Sequence, residues 1–238
     1  MQRYFSDKKI NNYLTLKEDD LYHIKTVMRL KNDDLIEVVY NNTLHICALN
    51  NDKAKIIKKE SSLNQGIQVS LVIPLLKETK MDYILQKSTE LGVSKIILVE
   101  MERSIIKLDN TKLEKKLIRW KRIVKEASEQ SKRLDIPIIE KIKSLDDLKD
   151  IKGLKIIGST NEKRKTLKQV LKNKEKEITI VIGPEGGLTE IEENLLESFN
   201  FIKITFGNLI LRSETAPLFV LSALNYEFME WLDVFISN

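Results

Sequence analysis

The sequence predicts two domains, a small β-rich one at the amino terminus and a larger α/β one built on a mainly parallel sheet. Three observations predict this. Apolar strand candidates at 67–75, 94–99, 136–140, 154–158, 178–182 and 201–205 alternate with helical patterns at 80–91, 111–133, 165–172 and 189–198, followed by a last helix from 214 to 230. Strands that are apolar on both faces, with helices between them, build a parallel sheet covered on both sides. The opening stretch lacks that alternation and carries short β-like runs instead. Between the two, "KKESSLNQG" (58–66) is polar and turn-rich, so the domains are placed at 1–66 and 67–238.

Taken in order, "EDDLYHIKTVMRL" (18–30) reads as one amphipathic helix, with Leu21, Ile24, Val27 and Met28 at helical spacing. "LIEVVY" (35–40) and "LHICALN" (44–50) read as strands joined at Asn41–Asn42, a hairpin signal. Gly92 fits a helix C-terminus directly before the strand "VSKIILVE". The 111–133 pattern places Leu113, Leu117, Trp120, Val124 and Ala127 on one face and Lys112, Lys115, Lys116, Arg119 and Arg122 elsewhere. Solvation is the ordinary fate of such a basic face, and RNA contact is the alternative.

Composition narrows the function classes. An apolar content of 42% with 32% charged residues, over 238 residues, describes an ordinary globular chain with enough sequence for a real core. The net charge of +5 is mild, but Lys112–Arg133 concentrates it, with nine basic residues against three acidic ones. Cys47 is the single cysteine, so no intrachain disulfide forms and a cysteine-based metal site is not expected. His23 and His45 are too few and too far apart to suggest zinc, and His45 with Cys47 on one strand face reads as packing. No metal is assigned. "MQRYFSDKKI" has no signal-peptide core, and 216–236 carries Asn225, Glu227, Glu230 and Asp233, too polar for a membrane span. A cytoplasmic protein is expected.

The chain has eight glycines, and Gly183, Gly186 and Gly187 fall together in "VIGPEGGLTEIE" (181–192), between a strand and a helix. Ligands of open α/β sheets sit beyond the carboxyl ends of strands. The turn is not a phosphate loop, since no Gly-Lys-Ser/Thr follows, and its glycine spacing is not that of a dinucleotide fingerprint. Glu185 would repel a pyrophosphate, so a neutral or cationic ligand fits better. Thr189 and Glu192 form a capping box, with Glu190 and Glu193 near the helix dipole, so these acids read as capping. A second segment, "ITFGNLILRSETAPLFVLSAL" (204–224), again puts glycine after a strand, then an apolar patch, then Arg212. The two could wall a single pocket.

"GPEGGLT" followed by "GNLILRSETAPL" resembles the RsmE family, S-adenosylmethionine-dependent uracil-N3 methyltransferases of small-subunit ribosomal RNA. "MQRYF", "HIKTVMRLKNDDLIEV", "QKSTELGVSKIILVEMERS" and "RWKRIVKEASEQSKRLDIPII" extend the resemblance along nearly the whole chain. It implies a SPOUT-type trefoil-knotted sheet in the C-terminal domain, a PUA-like β-barrel at the amino terminus, and a homodimer acting on 16S ribosomal RNA within the small subunit. It also implies S-adenosylmethionine as cofactor, held by Gly183, Pro184, Glu185, Gly186, Gly187 and Leu188. A second wall would be Phe206, Gly207, Asn208, Leu209, Ile210 and Leu211, and a third the loop at Ser159 and Thr160. RNA contacts would come from Arg3, His23, Arg29, Arg103, Arg119 and Arg133.

For the chemistry, Arg212 is expected to stabilise a developing uracil anion, its other possible role being an ion pair with Glu214 or the partner subunit. Glu214 is the acid nearest in sequence for the proton. The chain departs from the family pattern at Leu209, where a second arginine is usual, at Phe206, where leucine is usual, and at "KNDD", where a glycine–aspartate pair is usual. A non-catalytic RNA-binding protein of the same fold is the rival expectation. A nucleotide-hydrolysing α/β enzyme is disfavoured by the missing phosphate loop and metal-binding carboxylates.

Overall fold

A computed structural model of the chain describes residues 1–62, 66–107, 110–142, 144–171 and 175–228. The chain divides into two compact units, Met1–Asn64 with Lys125–Ile136, and Gln65–Val124 with Pro137–Asn238.

The first unit holds a mixed sheet of β1 (Arg3–Phe5), β2 (Lys9–Ile10), β3 (Tyr13–Thr15), β4 (Leu35–Tyr40), β5 (Thr43–Asn50) and β6 (Lys53–Ser62), in the order β1-β4-β5-β6-β3-β2. β1 runs parallel to β4 and the remaining pairs are antiparallel. The hairpin forms where its sequence predicts it: Asn41 and Asn42 have φ of 47° and 54°. That left-handed pair matches strand twist, and asparagine tolerates it better than most residues. Tyr4, Leu14, Ile24, Ile36, Val38 and Cys47 pack the core. His45 and Cys47 share a buried face of β5.

Two expectations change here. The helix read across 18–30 is only α1 (Glu18–Tyr22), which widens into a π-type turn over His23–Val27 and stops at Arg29, φ 54°. Its wider bonds, such as Met28 N–H to the His23 carbonyl, swing later positions off the stripe. Ile24 is buried, whereas Val27 and Met28 are exposed. The polar segment at 58–66 is strand β6 as far as Ser62, and residues 63–65 lie outside the described residues. Ala54 and Ile56 turn inward between lysines, a short alternation outweighed in sequence by the charged residues around it.

Lys125–Ile136 joins the first unit through charge. Arg3 is buried and donates to the Glu37 carboxylate at 2.8 Å and to the carbonyls of Lys132 and Arg133. The Lys125 ammonium bonds Asp20 and lies 2.8 Å from a Glu129 carboxylate oxygen. Burial pushes the Glu129 carboxyl up to about 7 despite that lysine.

The second unit is an entirely parallel six-stranded sheet. Along the chain come β7 (Gln68–Pro74), α2 (Glu78–Glu90), β8 (Lys95–Val99), α3 (Asn110–Gln130, whose residues from Lys125 onward belong to the first unit), β9 (Ile138–Lys141), β10 (Leu154–Gly158), α4 (Leu167–Val170), β11 (Glu177–Ile182), α5 (Glu190–Ser198), β12 (Ile202–Ile204) and α6 (Ala216–Phe228). The strand order is β12-β10-β11-β7-β8-β9, with each neighbouring pair parallel. α4 is shorter than the pattern at 165–172, whose last residue lies outside the described residues, as do 229 and 230 of the expected last helix. Val72, Ile97, Ile157 and Val181 fill one side of the sheet. From β7 the chain steps outward through β8 to β9, then places β10, β11 and β12 on the other side. Such a reversal opens a crevice at the strands' carboxyl ends. Among the described residues no helix is long and apolar enough to cross a membrane.

Candidate functional site

A cavity of about 510 Å³ lies at the carboxyl ends of β10, β11 and β12, within the usual range for small-molecule sites. Every residue expected to hold a cofactor lines it: Ser159 and Thr160 after β10, Gly183–Leu188 after β11, and Phe206–Leu211 after β12. Arg212 lines it too. Lys80, Lys163 and Glu193 also line it, and none of the three was singled out from sequence as a pocket residue.

The turn after β11 is locked from several sides. The Gly187 N–H donates to the Pro184 carbonyl at 2.8 Å. A Cβ on Gly183 would stand 2.9 Å from the Leu188 nitrogen, so this glycine permits a backbone approach that no side chain allows. Arg103, after β8, donates to the carbonyls of Gly186 (2.8 Å) and Leu188 (3.4 Å). The expected capping box at Thr189 and Glu192 is present, and Glu192 also accepts from the Glu102 N–H at 2.7 Å. Glu193 does more than complement the helix dipole. It is buried, accepts from the Ser159 hydroxyl at 2.6 Å and pairs with Lys203 at 3.2 Å, so it fixes the loop after β10.

The segment after β12 is open. Gly207, Asn208, Leu209 and Ile210 are all exposed, Leu209 and Ile210 at 79% and 78%. Gly207 has φ of 114° and nothing within 4 Å of its missing Cβ. Its entry is anchored: Thr205 Oγ1 donates to the Gly207 carbonyl at 2.9 Å, and the Phe206 ring covers Gly158 and meets Phe219 with centroids 5.7 Å apart. The large residue at 206 thus fills the space above a glycine. Arg212 is exposed, and among the described residues its side chain has no hydrogen-bond or ion-pair partner.

The charge pattern departs from expectation. Glu185 is not a solitary counter-charge: Lys80, in the first turn of α2, lies 3.1 Å from it and 2.9 Å from Glu214. The alternative role considered for Arg212, an ion pair with Glu214, is not seen among the described residues, where Glu214 pairs with Lys80. Burial, the largest single influence, pushes the Glu214 carboxyl up, but the Lys80 hydrogen bond and charge, its own backbone N–H and the Ser213 hydroxyl together hold it below the ordinary range. The hydrogen bonds that Lys80 donates to Glu214 and Glu185 raise its ammonium in turn. A carboxylate so stabilised accepts a proton less readily than a free one. Two carboxylates around one ammonium leave one net negative charge. Lys80 was missed because it lies far from the glycine turns in sequence, although "PLLKETK" does follow a parallel strand.

The residues expected to meet RNA are dispersed in role. Arg3 is buried against Glu37 and backbone carbonyls, so its guanidinium is not available to a phosphate. Arg103 is spent on the glycine turn. Arg119 pairs with Glu78 and Asp82, and Arg133 with Asp135 at 2.9 Å. Arg29 is exposed, and His23 is half-exposed with Nδ1 3.0 Å from the Tyr4 hydroxyl. Among the described residues no group of three or more His, Cys, Asp or Glu could hold a metal ion.

With this geometry in view, the resemblances to known proteins are specific. A family model for the RNA methyltransferase domain matches residues 63–225. Ribosomal RNA small subunit methyltransferase E of Mesomycoplasma hyopneumoniae (strain 232) is 37% identical over 226 residues, covering 93% of this chain and 98% of its own. Its namesake from Bacillus subtilis (strain 168) is 32% identical, covering 95% of this chain and 97% of its own. Among solved structures, a ribosomal RNA small subunit methyltransferase E from Neisseria gonorrhoeae bound to S-adenosyl methionine matches with a TM-score of 0.84 at 29% identity, over 95% of this chain and 98% of that one.

Proposed function

The chain belongs to the ribosomal RNA small subunit methyltransferase E family, and on that premise we propose that it transfers a methyl group from S-adenosylmethionine to N3 of a uridine in small-subunit (16S) ribosomal RNA. The observation that carries this reading is the single cavity shared by two glycine-bearing turns and the loop after β10.

The residues present suit the donor. Gly183 and Gly207 leave backbone close to the cavity, and Leu188, Ile210 and Leu211 offer apolar faces for a purine. When bound, S-adenosylmethionine supplies a methyl group activated on a sulfonium. Gly183–Leu188, Phe206–Leu211, Ser159 and Thr160 would hold it. The chain's own contribution is chiefly alignment, which can supply at most roughly 7–11 kcal/mol. Arg212, a fixed cation without a side-chain partner among the described residues, is assigned to a uracil carbonyl, where its donor fork stabilises the anion left as the N3 proton departs. Glu214 serves the pocket through Lys80, and the proton leaves to solvent.

The first unit would be a PUA-like barrel contacting RNA through Arg29 and His23, with Arg133 largely covered in its ion pair with Asp135, and Arg119 of the second unit at an exposed ion pair. The second would be the SPOUT-type knotted methyltransferase domain, working in a cytoplasmic homodimer. Nucleoside mass spectrometry after incubation with donor and small-subunit RNA, free or assembled, tests the reading. New 3-methyluridine is expected. Methylation at another atom would overturn the N3 assignment, and RNA binding without turnover would leave the non-catalytic alternative.

A further inference from the structure

We infer that Lys80 is a positioning residue that ties the two pocket walls together, a role resting on the methyl-donor reading of this cavity. Lys80 stands on α2, just past the carboxyl end of β7, and β7 lies beside β11 where the strand order reverses. From there its ammonium reaches Glu185 in the turn after β11 (3.1 Å) and Glu214 beyond the segment after β12 (2.9 Å). These carboxylates are 29 residues apart in sequence, and among the described residues no hydrogen bond joins their two segments directly.

The side chains of Lys80, Glu185 and Glu214 are 24%, 30% and 18% exposed, so the bridge is shielded but not buried. An exposed ion pair adds little to global stability. Here its effect is local. The turn after β11 is already held by Arg103, while the segment from Gly207 to Ile210 is exposed. Fastening Glu214 to Glu185 through Lys80 therefore passes the order of the first wall to the second. Without the lysine, two carboxylates would face each other and drive the walls apart.

Amide hydrogen exchange on the free protein, with donor calorimetry, tests this. Lys80→Met should speed exchange in both 183–188 and 206–211, whereas Glu185→Gln should speed mainly the first and Glu214→Gln mainly the second. Lys80→Met should bind S-adenosylmethionine about tenfold more weakly, a typical loss for hydrogen bonds to a charged group. Lys80→Arg should restore most of that affinity, and the melting temperature should hardly move. Adding Glu214→Gln to Lys80→Met should cost little more. Unchanged exchange in either wall, or independent multiplicative losses, would overturn the bridge. A wild-type protein that binds no donor would refute the donor reading instead, while the exchange pattern would still judge the bridge.

Discussion

The two walls of the cavity are built in opposite ways. The turn after β11 is held by a proline, a backbone hydrogen bond, the Arg103 clamp and a capping box, and Gly183 is packed against Leu188. The segment after β12 has a bonded entry at Thr205 and an exposed run from Gly207 to Ile210. The first wall is preformed and loses little entropy when a ligand arrives, whereas the second has ordering still to do. The difference suggests a division of labour: the rigid wall sets donor affinity and the open one, which leads into Arg212, serves the RNA and the reaction.

The largest expected effect tests that division directly. Arg212→Ala should lower turnover by about 10²–10³, the range for losing one charge-stabilising donor, with donor affinity unchanged. Equal loss in both, measured by single-turnover kinetics and calorimetry, would erase the distinction between the walls. Gly183→Val should weaken donor binding by roughly 100-fold, because its side chain meets the backbone at Leu188 and the turn must open. Arg103→Ala should cost about tenfold in the same calorimetric assay by releasing two carbonyls. Gly207→Ala should be the mildest of these, a few-fold, because the strain of its positive φ is set against open space into which the segment can relax.

Much of this was legible in sequence, and the gaps have physical causes. The hairpin at Asn41–Asn42, the capping box and the strands of the parallel sheet each announce themselves within a few residues. The gathering of 183–188, 206–211 and Ser159 into one cavity was readable from the resemblance and the strand-end rule. What escaped were partnerships between distant segments. Arg103 looks in sequence like a surface arginine for RNA and in the fold is a clamp. Glu193 looks like a dipole-complementing acid and holds Ser159. The 18–30 pattern looks continuous, and its π-type turn exposes Val27 and Met28.

Leu209 sharpens the contrast further. It is 79% exposed at a position where arginine is usual in the family, so Leu209→Arg should add one phosphate contact. The salt dependence of RNA binding should then steepen by about 0.7–0.9 log units per decade, with donor affinity unaltered. Acidity should matter least. Glu214 titrates below its ordinary range and Lys80 above its own. The contribution of Glu214 is therefore present above its unfolded-state pKa and lost only as pH falls through the depressed folded value, while that of Lys80 is lost only as pH rises through its elevated one. Donor affinity measured by calorimetry should stay flat across neutral pH and weaken only at the acid and alkaline extremes.

The most direct measurement is a crystal structure with S-adenosylmethionine bound. The account predicts one donor molecule touching the backbone of both 183–188 and 206–211, with Lys80 still between Glu185 and Glu214 and Arg212 facing the space beyond the methyl group. A donor held by one wall alone, or at another place on the molecule, would contradict it.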